Sequence, residues 1–227
     1  MFRKQHTEKN REPQSLPEYV YDAIKEAIIT GRIAPGSRLK QLEIAEEMNV
    51  SQQTVREALT SLVASGLVEQ IPHRGFEVTH IPFKEQEKIY QLRAVLEIFA
   101  IEEAMQKITP EELDAMRALL PKTAASDNTI PFHQVREANR AFHMAPVRAT
   151  RNRHLIRMMD QLWDITWTYF YNENNDHRRA SAAKEIAEHA AIITAIENRD
   201  MPAARHIITG HLNDSLESVR LYMQETE

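Results

Sequence analysis

Residues 44–62 read IAEEMNVSQQTVREALTSL, and this pattern decides the fold of the first third of the chain. Ile44, Ala45 and Met48 recur at helical spacing, so one face of a first helix is apolar. Asn49 tolerates the left-handed conformation that ends a helix, and Val50 fills the corner. Ser51 is a strong N-cap for a second helix. Val55, Ala58, Leu59 and Leu62 line one face of that helix. Its other face opens with Gln52, Gln53 and Arg56, residue types that pair with adenine, guanine or phosphate. A short helix carrying them on its first turns fits the major groove of DNA.

The flanks extend this reading. Val20, Ile24, Ala27 and Ile28 form an earlier apolar stripe that starts after Ser15-Leu16-Pro17 and stops at Gly31. Residues Ile33 to Leu39 read as a turn that delivers Arg38 beside the second helix of the motif. Downstream, Gly66 ends that helix. Leu67 to Ile71 and Phe76 to Val78 then read as strands joined by Pro72-His73-Arg74-Gly75, a hairpin with a basic tip. Three helices and this wing make a winged helix-turn-helix over residues 15–79, preceded by a flexible polar tail at 1–14. Residues 1–80 carry ten Lys and Arg against eleven Asp and Glu, so the positive charge must cluster to meet DNA. Arg38, Lys40, Arg56, His73 and Arg74 are the clustering candidates, with Ser51, Gln52, Gln53 and Gly75 completing the expected DNA contacts.

From residue 83 the chain changes character. Gly210 is its only glycine, and no strand pattern appears. Six helical stretches are expected: 84–107, 110–125, 130–149, 151–172, 181–199 and 201–225. Together they predict an all-α antiparallel bundle over 84–227, joined to the first domain by a linker at 80–83. The fold class is therefore mainly α with one small β-hairpin. The chain has no cysteine, which excludes a disulfide framework and any thiolate ligand or nucleophile. No apolar run approaches ~20 residues and no signal peptide opens the chain, so a cytoplasmic protein with no membrane association is expected.

Residues 20–78 resemble the DNA-binding domain of the GntR superfamily of bacterial transcription regulators. Gly31, Pro35-Gly36, Arg38-Leu39, Leu42, Ala45, Val50-Ser51, Val55 to Leu59, Leu62, Gly66 to Val68 and Arg74-Gly75 carry the resemblance. It implies that Arg38, Arg56 and the wing at Gly75 touch DNA. The chain departs from the pattern at Gln52-Gln53-Thr54, where the family usually has Arg-Thr-Pro, so the operator sequence should differ. The second half resembles the effector domain of the FadR subfamily, the FCD domain, in its shorter VanR-like six-helix form. Leu92-Arg93, Leu96-Glu97, Asn139 to His143, Asn152, Leu155, Glu188-His189, Ala195-Ile196, Asp200, Ala204 and His211 carry that resemblance.

Asn139 and His143 stand four apart and share a helix face, while His189 and His211 lie on two later helices. For any single histidine, a hydrogen-bonded core residue is the simpler reading. His133, His154, His177 and His206 are read that way. Three imidazoles from three helices can converge in a bundle core and suit a divalent metal. The FCD resemblance implies such a site, built from an aspartate and three histidines, with open positions for a carboxylate effector. Here Asn139 stands at the aspartate position, so zinc, nickel or manganese should bind more weakly. Arg93 can clamp an effector carboxylate or pair with Glu97 four residues on. Trp163, Trp167 and Phe170 share a stripe, and Trp167 is the expected pocket wall.

These features together predict a ligand-responsive transcription regulator, more simply a repressor, acting as a homodimer on a pseudo-palindromic double-stranded operator. The alternatives are a metal-dependent enzyme or an architectural DNA binder without a ligand. Against the enzyme, the chain has neither an HExxH motif nor a phosphate-cradling glycine loop. Glu188 adjoins His189 and should point about a quarter-turn away from it.

Overall fold

In a computed structural model, residues 15–124, 130–170 and 176–226 are described, apart from the side chains of 132, 133, 167–170, 176–180, 222, 225 and 226. The expected tail at 1–14 lies outside them. The chain divides after Ile81 into two compact units.

The first unit contains α1 (Leu16–Ile29), α2 (Gln41–Met48), α3 (Gln52–Ala64) and an antiparallel sheet. The sheet is ordered β1-β3-β2, from β1 (Arg38–Leu39), β2 (Val68–Ile71) and β3 (Gly75–Val78). A reciprocal cap starts α1: the Ser15 hydroxyl accepts from the Glu18 N–H, and the Glu18 carboxylate accepts from the Ser15 N–H. Asn49 takes the left-handed conformation (φ 54°) that turns α2 into α3. Ser51 then caps α3, accepting from the Thr54 N–H at 3.0 Å. The core joins Val20, Ile24 and Ile28 of α1 to Val55, Leu59 and Leu62 of α3, with Phe76 and Val78 of β3 beneath.

One expectation is corrected. Arg38 does not sit in a free turn; Arg38–Leu39 is a strand paired with Phe76 and Glu77. Buried Leu39 anchors it, and flanking bonds from Gly36 N–H to Val78 C=O and from Val78 N–H to Ser37 C=O, both 2.9 Å, hold the edge. Two residues are too few to show the alternation that marks a strand.

The second unit contains α4 (Phe83–Ala104), α5 (Pro110–Thr123), α6 (Phe132–Ala149), α7 (Arg153–Phe170), α8 (Asp176–Glu197) and α9 (Met201–Thr226). α5 starts on a second reciprocal cap, Thr109 with Glu112. α8 begins before the expected Ser181, and most of the expected break at 172–177 lies outside the described residues. Met116, Phe142, Met144, Met159, Trp163, Ile192, Ile196 and Ile208 fill the interior. The same interior buries Arg93, Glu97, Thr123, Asn139, His143, Glu185, His189 and His211. Such groups are tolerated only if hydrogen-bonded or paired, so they mark where the bundle holds a polar centre. Among the described residues no helix is long and apolar enough to cross a membrane.

The core assignment of the first unit has a direct check. Leu59 is fully buried, so Leu59→Ala should lower its unfolding free energy by about 2–5 kcal/mol in urea titrations. A loss below about 0.5 kcal/mol, the surface range, would contradict the packing described.

Candidate functional site

On the first unit, Gln52, Gln53 and Arg56 are exposed on the opening turns of α3, because Val55, Ala58 and Leu59 turn the opposite face inward. Gln53 Nε2 donates one hydrogen to Glu57 at 2.9 Å, which leaves its second N–H and Oε1 on the exposed face. The Ser51 hydroxyl is engaged with Thr54 as the helix cap. Arg38 is exposed on β1, and neighbouring Lys40 is paired with Glu43 at 2.7 Å. His73 and Arg74 are exposed in the wing turn, where Arg74 N–H closes on Ile71 C=O at 3.0 Å. His73 (φ 62°) and Gly75 (φ 93°) both adopt left-handed backbone there, and the bend needs the glycine.

On the second unit, α6, α8 and α9 bring His143, His189 and His211 together. His143 Nε2 lies 3.3 Å from His189 Nε2 and 3.2 Å from His211 Nε2. Imidazoles sharing one ion at ~2.1 Å stand roughly 3.0–3.4 Å apart, depending on octahedral or tetrahedral geometry. Each ring's other nitrogen is engaged. His143 Nδ1 is 2.9 Å from the Glu97 carboxylate, and His211 Nδ1 is 2.9 Å from that of Glu188. His189 Nδ1 is 2.9 Å from the Thr123 hydroxyl, which itself donates to Leu120 C=O at 3.0 Å. All three partners therefore accept, each Nδ1 carries the proton, and three Nε2 lone pairs face one another. That donor set fits a divalent cation, and an acceptor behind every imidazole is how ligating histidines are oriented.

The electrostatics agree. Burial holds the His143 imidazole below its ordinary pKa, so it is neutral. Burial opposes ionisation of Glu97, but the Arg93 guanidinium and the hydrogen bonds from Arg93 and His143 outweigh it and hold the carboxyl below its ordinary range. The hydrogen bond from His211 lowers Glu188 against the effect of its partial burial.

Arg93 pairs with Glu97: Nε and Nη2 both donate to Glu97 Oε1, at 3.2 and 2.9 Å. Its guanidinium stacks 3.9 Å over the Trp163 ring. Arg93 also lines a cavity of about 10 Å3 with Asn139, His143, Trp163, His211 and Ser215, room for about one water. A larger open cleft of about 190 Å3 lies next to it between α8 and α9, and His211 and Ser215 border both. The Trp167 side chain lies outside the described residues, as do those of His133 and His177. His154 and His206 are exposed, away from the centre.

Four contributors escaped the sequence. By spacing Glu97 is a partner for Arg93, and the structure shows that it also orients His143. Thr123 carries no local signal. Glu188 does point away from His189, as the spacing requires, but the turn aims it at His211 on α9. Glu185, buried on α8, takes a 2.7 Å hydrogen bond from Asn139 Nδ2.

A model of the FCD domain matches residues 88–214. One described as bacterial regulatory proteins, gntR family, matches residues 16–78. Among curated relatives, the chain is 28% identical over 207 residues to the uncharacterized HTH-type transcriptional regulator YdhC of Bacillus subtilis, covering 90% of this chain and 91% of that protein. It is 27% identical over 197 residues to the HTH-type transcriptional regulator McbR of Escherichia coli, covering 86% and 88%. It is 28% identical over 209 residues to a probable D-xylose utilization operon transcriptional repressor of Paenarthrobacter nicotinovorans, covering 91% and 89%. Among solved structures, E. coli McbR/YncC superposes with a TM-score of 0.77 at 24% identity, covering 95% of this chain and all of that one. At that identity the likeness speaks to the fold. The chain belongs to the GntR family of bacterial transcription regulators, with an FCD effector domain as its second unit. Its family and relatives are regulators and not enzymes.

The Arg93–Glu97–His143 chain can be tested without any ligand. Glu97→Ala leaves a guanidinium buried without its partner and should destabilise the second unit by about 3–5 kcal/mol. Chemical denaturation followed by tryptophan fluorescence reads this directly, since both tryptophans lie in α7. A cost under about 1 kcal/mol, typical of an exposed pair, would contradict the buried arrangement.

Proposed function

We propose that this regulator is a ligand-responsive repressor whose FCD domain binds a small organic acid through a divalent metal and thereby alters operator binding. The observation that carries the reading is the convergence of three Nε2 lone pairs, each with its Nδ1 held by an acceptor. Such an arrangement left empty places lone pairs against one another in a buried site; zinc, nickel or manganese would satisfy them. A bound cation would supply open coordination positions for a carboxylate. Arg93 would steady that carboxylate through Nη1, which Glu97 does not use. The open cleft between α8 and α9 gives the acid a route to His211.

On the first unit, Arg56, Gln52 and Gln53 would enter the major groove. Arg38, His73 and Arg74 would bind phosphates or the minor groove, while Ser51 and Gly75 hold helix and wing in shape. The protein would act in the cytoplasm as a homodimer on a pseudo-palindromic site, since two-fold symmetry in the protein calls for symmetry in the operator. An exposed apolar stripe on α4, Leu92, Val95 and Phe99, supports a self-association surface. The domain type supports placement in the FadR subfamily in its VanR-like form, with six helices in the second unit among the described residues. Regulation would follow from linkage: an acid that binds one dimer geometry better draws the population from the DNA-competent one. The linker at 80–83 would accommodate the change.

Two measurements test this. Arg56→Ala should weaken binding to a selected operator fragment by about 1–3 kcal/mol in fluorescence anisotropy, and unchanged affinity would remove α3 from the groove. Zinc, nickel or manganese should raise the melting temperature of the wild type. His189→Ala should lose that rise while retaining the helical circular dichroism of the parent; an equal rise in the mutant would place the metal elsewhere.

A further inference from the structure

Asn139 lines the same small cavity as His143 and His211. It is buried on α6, and both hydrogens of its amide are accounted for. Nδ2 donates to Glu185 Oε1 at 2.7 Å and to the backbone carbonyl of Thr123 at 3.2 Å. A carboxylate and a carbonyl can only accept, so the nitrogen is fixed on that side of the amide and the flipped rotamer is excluded. Oδ1 is then the atom Asn139 has left for the cavity. Thr123 braces two members of the centre at once, its hydroxyl holding His189 and its carbonyl holding Asn139.

We propose that Glu185 is the positioning residue that turns the Asn139 amide so that Oδ1 faces the three imidazoles, which makes positions 139 and 185 one coupled pair. This rests on the metal reading above. The charge-assisted bond from Asn139 to Glu185 polarises the amide and strengthens Oδ1 as a donor. It also keeps a negative charge near the cation without spending a coordination position on it. Glu185 does not join the three histidines as a ligand; it acts through the amide. The pair carries a consequence specific to this chain. An aspartate at 139 would put two carboxylates in contact where the structure has a 2.7 Å hydrogen bond. A carboxylate at 139 is therefore tolerated better when position 185 is neutral and can donate.

The test combines the metal-free and metal-bound protein in Asn139→Asp, Glu185→Ala, Glu185→Gln and the double variant Asn139→Asp/Glu185→Gln. Melting temperatures are read in chelator and across zinc and nickel titrations, with His189→Ala as the control for binding elsewhere. In chelator, Asn139→Asp should melt below wild type. The double variant should recover part of the loss, because the glutamine amide introduced at position 185 can donate to the carboxylate introduced at position 139, while the Thr123 carbonyl still faces that carboxylate. With metal, Glu185→Ala should weaken apparent affinity roughly ten- to hundred-fold, the usual effect of losing an outer-shell partner. Glu185→Gln should keep most of it, since its amide oxygen still accepts from Asn139. The double variant should bind more tightly than wild type. An Asn139→Asp protein as stable as wild type in chelator, with no coupling to position 185, would overturn the pairing. Wild-type-like affinity in Glu185→Ala would overturn the positioning role. If chelator coupling is present but neither metal shifts the wild type, the metal reading fails, while the Asn139–Glu185 pairing stands.

Discussion

Every helix of the second unit is tied to one constraint: three imidazoles gathered around His143 Nε2, which lies 3.2–3.3 Å from the other two Nε2 atoms, must each have an acceptor behind Nδ1. α4 supplies Glu97, α5 supplies Thr123, and α8 supplies Glu188. α6, α8 and α9 supply the rings, and α7 closes the wall with Trp163. A rotation of α4, α5, α6, α8 or α9 by one residue would unpair a buried polar group, at about 1–3 kcal/mol for a neutral one and more for an ion. The polar centre therefore disfavours shifted registers of these helices.

Charge in the centre is arranged in a sequence. Arg93 neutralises Glu97, Glu97 holds the proton of His143 in place, and His143 stays neutral with its free lone pair inward. Arg93 stacks on Trp163 and borders the cavity, so it is part of the support and also faces the open space beside the rings. The two readings of Arg93 offered by the sequence are thus compatible. The pairing with Glu97 is observed, and it leaves Nη1 available.

The winged helix was legible because its signals are local. Asn49 leaves one helix, Ser51 caps the next, and Val55, Ala58, Leu59 and Leu62 mark its inner face. The short strand at Arg38–Leu39 was not legible, since its cause is pairing with Phe76 and Glu77 far along the chain. In the bundle, helix positions followed from breaks such as Thr109-Pro110, and the histidines followed from family spacing. Their supports did not. Thr123 and Glu185 are defined by three-dimensional neighbours 66 and 46 residues away in sequence, which no periodicity encodes. Trp167 remains a sequence expectation.

The most direct measurement is crystallographic: anomalous difference density from the purified protein, collected on both sides of the zinc and nickel absorption edges. The account predicts one peak in the second unit, at ~2.1 Å from Nε2 of His143, His189 and His211. Density for a water hydrogen-bonded among the three rings, with no anomalous signal after metal soaking, would contradict it.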